Sequence, residues 1–386
     1  MLNLSKKRIL LLLFMPILLL SLISCTNENN ISGDVVLKDL INREVNIKTG
    51  SYKKVICIGA GALRLYSYIG DVNLLCGVED IDNYKLENRP KMFDGVARPY
   101  FMANKELFAT LPSCGVGGPQ NQIIEETKIL NCNPDIIISE YEDKVKADKL
   151  SNDLQIPVIV VSYGNDGVFD SKVKTSLELL GKVFNKNDRA KAINDYIEKE
   201  KNDIKTRTSD INTSLQKKVY IMGLGNWGTT NHLMTAQNYY PFNLAHINNI
   251  ITGLTKDGIQ KILDEKFEDL APNMDVMIMD AAAVKNIKVL YNNNPTMFSN
   301  CKAWNDNEVY LEMAYNAYYT NLEIALCNTW FNAKIVYPNK FSDIDINKKL
   351  NEITKVFLNK ELADEINSYP MSYGGYGKVN KETIFA

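Results

Sequence analysis

Hydrophobic and polar positions in the first half of the chain predict short strands separated by amphipathic helices. The apolar runs are Val55–Gly59, Leu74–Val78, Ile136–Ser139 and Val158–Val161. The segments with helical spacing are Ala62–Ile69, Gln122–Leu130 and Lys144–Leu154. Strands that are apolar throughout are typical of a parallel sheet covered on both faces. Ahead of them, Val35–Ile47 predicts a small hairpin that turns at Asn42 and Arg43.

The same pattern starts again at Val219, which predicts a second α/β half. Its strands are Val219–Gly223, Val276–Asp280 and Glu308–Leu311, and its helices are Gly258–Glu265, Leu322–Val336 and Asn347–Phe357. Between the halves, a helix over Val173–Val183 precedes a longer one that starts with Asp188 as N-cap and ends near Ser209. The second half of the longer helix is almost wholly polar, as expected for a helix that bridges two bodies.

The N-terminus has the features of a bacterial lipoprotein leader. Lys6, Lys7 and Arg8 precede an apolar run from Ile9 to Ile23, which has the length of a secretory h-region and is short for a membrane span. The run ends in LISC, which resembles the lipobox that is cut before a cysteine, here Cys25, whose thiol is acylated. The alternative is an uncleaved anchor with an incidental cysteine.

These patterns divide the chain into five segments. They are a signal peptide over 1–24, a polar tether over 25–33, an N-terminal α/β lobe over 34–187, a bridging helix over 188–212 and a C-terminal α/β lobe over 213–386. Two lobes fit the length, because the roughly 360 residues left after processing are many for one hydrophobic core.

Composition and motifs favour a protein that binds a small ligand over a nucleic-acid-binding protein or an enzyme. The net charge of −2 argues against nucleic acid as a partner. There are two histidines, and neither a G-x-S-x-G elbow nor an H-E-x-x-H motif occurs. The seven cysteines show no zinc-type spacing, so buried thiols are expected, with a Cys301–Cys327 disulfide left open.

Several segments, in order, resemble the solute-binding proteins of bacterial ABC importers for iron–siderophore, haem and cobalamin. LKDLINREVNI resembles the opening hairpin of that family, and KKVICIGAGALRLYSYIGDVNLLCGVED its first strand–helix–strand unit. LNCNPDIIISE and LQIPVIVVSYG resemble the segments that lead into the next two strands of that family. LELLGKVFNKNDRAKAINDY resembles the segment that enters its bridging helix. In the second half, ITGLTKDGIQKILDEKFEDLAPNMDVMIMD and CKAWNDNEVYLEM continue the pattern.

The resemblance implies an α/β fold of two Rossmann-like lobes joined by a single long helix, with the ligand cleft between the lobes. It implies a monomer on the outer face of the cell membrane, tethered through Cys25, that delivers its ligand to a permease and its ATPase. Family members often dock to permease arginines through one acidic residue on each lobe. The register gives Glu265 in the second lobe, and Glu125 or Glu126 in the first, where the match is displaced by several residues.

In such folds the ligand lies at the loops that follow the carboxyl ends of the strands. Those loops are Gly59–Arg64, Glu79–Asp82, Glu140–Asp143, Gly223–His232, Asp280–Lys285 and Glu312–Asn321. The candidate ligand-binding residues are Arg64, Arg98, Tyr100, Glu140, Trp227, His232, Tyr315, Tyr318 and Tyr319. The arginines suit an anionic chelate, the tryptophan a stacking wall, and the tyrosines of AYNAYYTN the rings and oxygens of a ferric chelate.

The expected ligand is therefore a ferric siderophore, with no resident cofactor and no metal site built from the protein alone. Haem, a corrinoid, a nickel or other metal chelate and an oxyanion such as molybdate stay open, because the same fold serves all of them. Scarce histidine makes axial haem ligation a second choice. A surface adhesin or a hydrolase is the remote alternative.

Overall fold

The computed structural model describes residues 33–118, 122–225 and 230–384. The lipobox with Cys25 and most of the tether lie outside the described residues. Within those three ranges, no helix is both long enough and apolar enough to cross a membrane.

The first lobe is built on parallel strands. Its strands are β1 Asp34–Lys38, β2 Glu44–Lys48, β3 Val55–Ile58, β4 Val78–Glu79, β5 Ser113–Gly115, β6 Ile136–Ser139 and β7 Val158–Val160. Its helices are α1 Ala62–Ile69, α2 Pro99–Phe108, α3 Glu126–Asn131, α4 Lys144–Leu154 and α5 Ser171–Val183. β3, β6 and β7 form one parallel sheet in that order, and a parallel bridge between Val55 and Leu75 brings the β4–β5 pair to the edge of β3. β1 and β2 form the predicted hairpin, where Asn42 takes a φ of 62° in the turn.

The second lobe repeats this plan. Its strands are β8 Lys218–Met222, β9 Met234–Thr235, β10 Asn248–Asn249, β11 Gln260–Lys261, β12 Val276–Asp280, β13 Val309–Glu312 and β14 Gly377–Lys378. Its helices, numbered after the bridging helix α6, are α7 Tyr240–Leu244, α8 Asp264–Leu270, α9 Val284–Asn293, α10 Lys302–Asn305, α11 Leu322–Val336, α12 Ile346–Leu358, α13 Ala363–Ser368 and α14 Lys381–Ile384. The main sheet has the order β10-β8-β12-β13-β14, parallel except for the antiparallel edge strand β14.

The bridging helix α6 spans Asn187–Thr208, and its largely polar sequence fits its largely exposed surface. It buries one stripe that includes Ile193, Ile197 and Ile204 and leaves the rest of its surface to solvent. Within the stripe, Glu200 is buried and accepts a hydrogen bond from Lys349 on α12 at 3.0 Å. Asp188, predicted as the N-cap, instead lies in the first turn, because the N-cap is Lys186, two residues earlier.

The largest hydrophobic cluster is shared by both lobes. It runs from β3 and α1 through α5 and α6 to α11 and α12, and includes Tyr66, Leu177, Trp330 and Phe357. Two smaller clusters cover the outer faces of the two sheets. The predicted α/β class, with two lobes and one long connecting helix, is confirmed, and the lobes pack on a common core.

The strand predicted over Leu74–Val78 is present only as β4, Val78–Glu79, and two predicted helices were wrong in detail. Gly258–Glu265 is not a helix, because residues 260–261 pair with β9 and Gly258 has a φ of +82°. The helix in this region starts at Asp264. In the first lobe the predicted helix over 122–130 starts only at Glu126. Both errors lie where a polar loop carries apolar residues that mimic helical spacing.

Candidate ligand-binding cleft

A cleft of about 910 Å³ lies between the two lobes at the carboxyl ends of their parallel strands. The first lobe contributes the loop that follows β6, residues 140–143, and the second lobe contributes residues 314–316 and 318–320, after β13. Ala60, Gly164, Gly225 and Ala282 follow β3, β7, β8 and β12 and also line the cleft. The cleft therefore occupies the place that the strand pattern predicts for a ligand.

The segment Ala314–Asn321 is a closed loop held by its own backbone. The amide of Asn321 donates to the carbonyl of Tyr315 at 2.7 Å, and the amide of Ala317 donates to the carbonyl of Tyr319 at 3.1 Å. Tyr318 and Tyr319 have φ values of 53° and 68°. Residues other than glycine adopt such angles at a cost of roughly 1–2 kcal/mol each. Strain of this kind is characteristic of functional loops. It turns two adjacent tyrosines in different directions.

Tyr318 points away from the open cleft and joins the two lobes. It is 2% exposed, and its hydroxyl donates a short hydrogen bond to Oε2 of Glu79 at the end of β4. The same hydroxyl accepts a hydrogen bond from the amide of Gly118 at 3.1 Å. Burial raises the pKa of the Glu79 carboxyl to about 7, although the bonds from Gly59 and Tyr318 lower it. Tyr318 therefore contacts the cleft mainly as part of its floor.

Tyr319 and Tyr315 present their rings to the cleft. Tyr319 stacks on Tyr163 of the first lobe with a centroid distance of 4.5 Å, and Tyr315 lies 6.5 Å from Tyr239. Neither hydroxyl has a hydrogen-bond partner among the described residues. Burial raises the pKa of Tyr319 to about 12 and raises that of Tyr315 further, so both phenols are neutral donors at pH 7.

The carboxyl groups on the first-lobe wall differ in how they are bonded. Glu142 accepts from Ser162 Oγ at 2.5 Å and from Lys172 at 3.2 Å, and Asp143 caps α4 by accepting from the Lys146 amide at 3.0 Å. The Glu140 carboxyl accepts no hydrogen bond in the described part of the chain. Burial, with smaller contributions from Glu142 and Glu79, raises the pKa of Glu140 to about 9.

Arg64 lies behind the cleft wall rather than in it. It is fully buried in α1, and its guanidinium donates to the carbonyls of Ala317 at 2.8 Å and Tyr318 at 3.0 Å. The first lobe thus holds the strained loop of the second. The charge lies 4.7 Å from the ring centre of Tyr100, which contributes a cation–π contact.

Arg98 and Tyr100 form an internal polar cluster of the first lobe. Arg98 donates to Oδ1 of Asp82 at 2.7 Å, and the Tyr100 hydroxyl donates to the same atom at 2.7 Å. All three residues are buried, and none is among the residues that line the cleft. A buried charge needs such pairing, which accounts for this arginine without a ligand.

His232 packs in the outer core of the second lobe. Its ring meets Phe267 and Phe298 edge-on at 5.1 and 5.9 Å, and burial lowers its pKa to about 4. It does not line the cleft. Trp227 lies outside the described residues.

Three lining tyrosines were missed from the sequence. Tyr141 follows Glu140 in a loop that the strand pattern had already selected, so it could have been found. Tyr239 and Tyr240 enter from the start of α7, after a strand of only two residues that gives no recognisable pattern. Tyr240 stacks on Phe169 at 4.7 Å and closes one side of the cleft.

The three candidate docking carboxylates are all near the protein surface. Glu265 is exposed in the first turn of α8 and makes no ion pair among the described residues. Glu125 pairs with Lys128 at 3.0 Å and accepts from the Val116 amide at 2.8 Å, whereas Glu126 pairs with Lys149 at 3.0 Å.

Within the described ranges, no group of three or more histidine, cysteine, aspartate or glutamate side chains could hold a metal ion. The six cysteines in those ranges are free thiols, including Cys301 and Cys327, and all but Cys76 are buried. The expected buried thiols are confirmed, and the Cys301–Cys327 disulfide is not formed.

Comparisons with solved structures show the same fold at low identity. A periplasmic solute-binding protein from Veillonella parvula has a TM-score of 0.67 at 18% identity, over 87% of this chain and 96% of that one. The periplasmic binding protein MolA from Haemophilus influenzae, solved with molybdate, has a TM-score of 0.65 at 16% identity, over 85% and 99%. CeuE from Helicobacter pylori, solved as a nickel–histidine complex, has a TM-score of 0.57 at 15% identity, over 86% and 98%.

No curated protein matches the chain. The sequence profile described as "Periplasmic binding protein" matches residues 108–311, which is more than half of the chain and covers parts of both lobes. Membership in this family implies a location outside the cytoplasm. The match, the two-lobe fold and the cleft at the strand ends lead to one conclusion: this chain belongs to the periplasmic binding protein family, the solute-binding components of ABC transporters.

Proposed function

We propose that this protein captures an organic metal chelate, a ferric siderophore in the first instance, and delivers it to the permease of an ABC importer. In the proposal the mature chain is a monomer held at the outer face of the cell membrane by a lipid on Cys25. It binds its ligand without converting it chemically. The observation that carries the proposal is a cleft of about 910 Å³ whose walls are rich in tyrosine.

The size of the cleft favours a chelate over a bare ion. Sites of roughly 300–1,000 Å³ take organic ligands and bury most of their surface. A tetrahedral oxyanion would fill a small part of this space. Among the described lining residues the basic side chains are Lys146 and Lys285, against three carboxyl groups, which is a poor environment for an isolated anion.

The tyrosines favour a chelate with oxygen donors at its surface. The hydroxyls of Tyr141, Tyr240, Tyr315 and Tyr319 have no hydrogen-bond partner among the described residues, while their rings supply apolar contact area. Because burial keeps the phenols neutral, they act as hydrogen-bond donors to oxygens that already bind the iron. Direct phenolate ligation would require proton loss and is the less favoured role.

Haem is the second candidate and has weaker support. None of the described residues that line the cleft is a histidine. His232 packs among phenylalanines in the outer core, so an axial ligand would have to be a tyrosine. A corrinoid, a nickel chelate or another metal chelate would use the same tyrosine-rich wall.

Delivery to the permease would use the surface carboxylates. Glu265 is exposed and unpaired among the described residues, which suits an arginine supplied by a partner. In the first lobe, Glu126 would have to give up its ion pair with the exposed Lys149 before it could bind a partner arginine. Glu125 would have to give up both its ion pair with Lys128 and its hydrogen bond from the Val116 amide. We therefore place Glu126 ahead of Glu125 as the first-lobe contact.

The test is to identify the ligand that the protein carries and then to replace a tyrosine that lines the cleft. Native mass spectrometry of protein purified from its own host, with an absorption spectrum, should show a bound ferric chelate. A Soret band would replace the chelate with haem, and a bound oxyanion mass would refute the proposal. Tyr319→Ala should weaken binding of the identified chelate about tenfold or more, since a central aromatic anchor contributes at least about 1.4 kcal/mol. Tyr84→Ala, at an exposed tyrosine outside the cleft, is the matched control and should leave affinity unchanged.

A further inference from the structure

Glu140 occupies the centre of the first-lobe wall. It is the residue after β6, the middle strand of its sheet, and its amide donates to the carbonyl of Ile58 on β3 at 3.0 Å. The neighbouring Gly59, with a φ of +87°, has no side chain, and a Cβ there would lie 3.4 Å from the Glu140 Cβ. Glycine directly after β3 therefore lets the Glu140 Cβ and the Tyr141 ring pack against the chain at this point.

The carboxyl of Glu140 is left without a partner although its neighbours are fully bonded. Glu142 and Asp143 are committed to Ser162, Lys172 and the start of α4. No basic side chain lies within 4 Å of Glu140 in the described ranges. Glu140 is partly buried, lines the cleft and accepts no hydrogen bond from the described residues, so its carboxyl is available to a ligand that enters the cleft.

The groups around Glu140 are mainly acidic or aromatic. The cations in this region are Lys146 on the same wall, Lys172, which is paired with Glu142, and Arg64, which donates to the Tyr163 hydroxyl at 3.4 Å. Glu142 and Glu79 are the nearby carboxyls that raise its pKa, and the phenols of Tyr141, Tyr163 and Tyr319 lie close enough to feel its charge. Tyr163 and Tyr319 form the stacked pair described above. A carboxyl next to aromatic rings is a suitable environment for an organic cation, which gains both an ion pair and cation–π contact.

We propose that Glu140 selects a chelate that carries a protonated amine, and that this amine binds between the Glu140 carboxyl and the ring of Tyr319, which lines the cleft and is backed by the buried Tyr163. This inference rests on the proposed function and specifies the ligand class further. Free Glu140 holds its proton at pH 7 because burial raises its pKa to about 9. When the ammonium enters, the carboxyl loses that proton to solvent and becomes the carboxylate of an ion pair. One cation enters and one proton leaves, so the buried charge stays balanced.

Two probes that differ only in the amine test the proposal. They are the ferric complex of desferrioxamine B, a linear trihydroxamate with one terminal ammonium, and the ferric complex of its N-acetyl derivative, which lacks the charge. Titration calorimetry in two buffers of different ionisation enthalpy gives affinity and proton release together. The wild type should bind the ammonium form at least tenfold more tightly and release about one proton. Glu140→Gln should abolish both the preference and the proton release.

Glu87→Gln is the control, because Glu87 is exposed, makes none of the hydrogen bonds or ion pairs described and undergoes the same side-chain replacement away from the cleft. It should behave as wild type. Equal binding of both chelates by the wild type, or a preference that survives in Glu140→Gln, would overturn the amine contact and leave the proposed function intact. Failure of both chelates to bind would count against the proposed function itself.

A ligand-free measurement tests the state of Glu140 separately. Above the normal glutamate pKa, the wild type should lose stability relative to Glu140→Gln as pH rises towards 9, because the folded state holds a proton that the unfolded state has released. Parallel pH profiles of the two proteins would show an ordinary, ionised Glu140 and would overturn the proposed proton release.

Discussion

Replacing Tyr318 with phenylalanine should remove two hydrogen bonds between the lobes and leave the ring in place. The lost hydroxyl donates to Glu79 and accepts from the Gly118 amide. A hydrogen bond between neutral groups contributes roughly 0.5–1.5 kcal/mol to stability, and one to a charged group roughly 1.5–3 kcal/mol. The size of the loss therefore depends on whether Glu79 is ionised.

The pKa of Glu79, about 7, sets the pH at which the loss changes. Because this folded-state value is raised above that of the unfolded chain, stability falls as pH rises from about 4.5 to 7. The Tyr318 hydroxyl opposes this fall by stabilising the carboxylate. Tyr318→Phe should thus cost about 1 kcal/mol at pH 6, where Glu79 is largely protonated, and about 2–3 kcal/mol at pH 8.5.

Urea unfolding at both pH values, with linear extrapolation to water, measures the difference. Tyr310→Phe is the matched control, since its hydroxyl donates to Glu308 at 3.2 Å from a partly exposed site on β13. That variant should lose less than about 1 kcal/mol, with no dependence on pH. A loss in Tyr318→Phe that is the same at pH 6 and pH 8.5 would refute the assigned coupling to Glu79.

Three further predictions concern anchoring, docking and the second-lobe core. Cys25→Ala should move the protein from the membrane to the soluble fraction, and retention through an alkaline wash would instead indicate an uncleaved anchor. Glu265→Lys should abolish uptake in cells with solution affinity unchanged, and a loss of affinity would place Glu265 in binding. Asp280 is fully buried, and burial and nearby Glu312 raise its pKa well above normal. Asp280→Asn should therefore exceed wild type in stability by about 1 kcal/mol or more at pH 8.5 and equal it near pH 4, whereas a constant difference would contradict this.

The sequence predicted the fold well because the strands are apolar on both faces. β6 and β12 have predicted bounds identical to those observed, as do α1 and α11. Runs of this kind have one stable environment, the middle of a covered parallel sheet, so local pattern and tertiary structure agree. The loops that follow the strands were predicted for the same reason.

Individual side chains in those loops were harder to place. Tyr318 and Tyr319 are adjacent and chemically identical, yet Tyr318 is buried with its hydroxyl bonded across the lobes, whereas Tyr319 presents its ring to the cleft. Their direction depends on two positive φ angles, which sequence spacing does not encode for tyrosine. Arg64 was expected to face a ligand because it begins a helix near the cleft and could pair with an anionic chelate. Its partners are carbonyls more than 250 positions away in the chain, which only the folded structure brings together.

The hydrophobic core that both lobes share has a consequence for the kinetics of capture and release. Swinging the lobes apart would expose residues such as Leu177 and Trp330 to water, at roughly 25 cal/mol for each Å² of apolar surface. A wide opening would therefore be rarely populated. Capture should then resemble docking into a preformed surface, with association limited by diffusion and orientation rather than by a closing step. Spontaneous dissociation would be correspondingly slow for a well-fitted ligand, and the transporter would have to supply the force that separates the walls when the cargo is handed over.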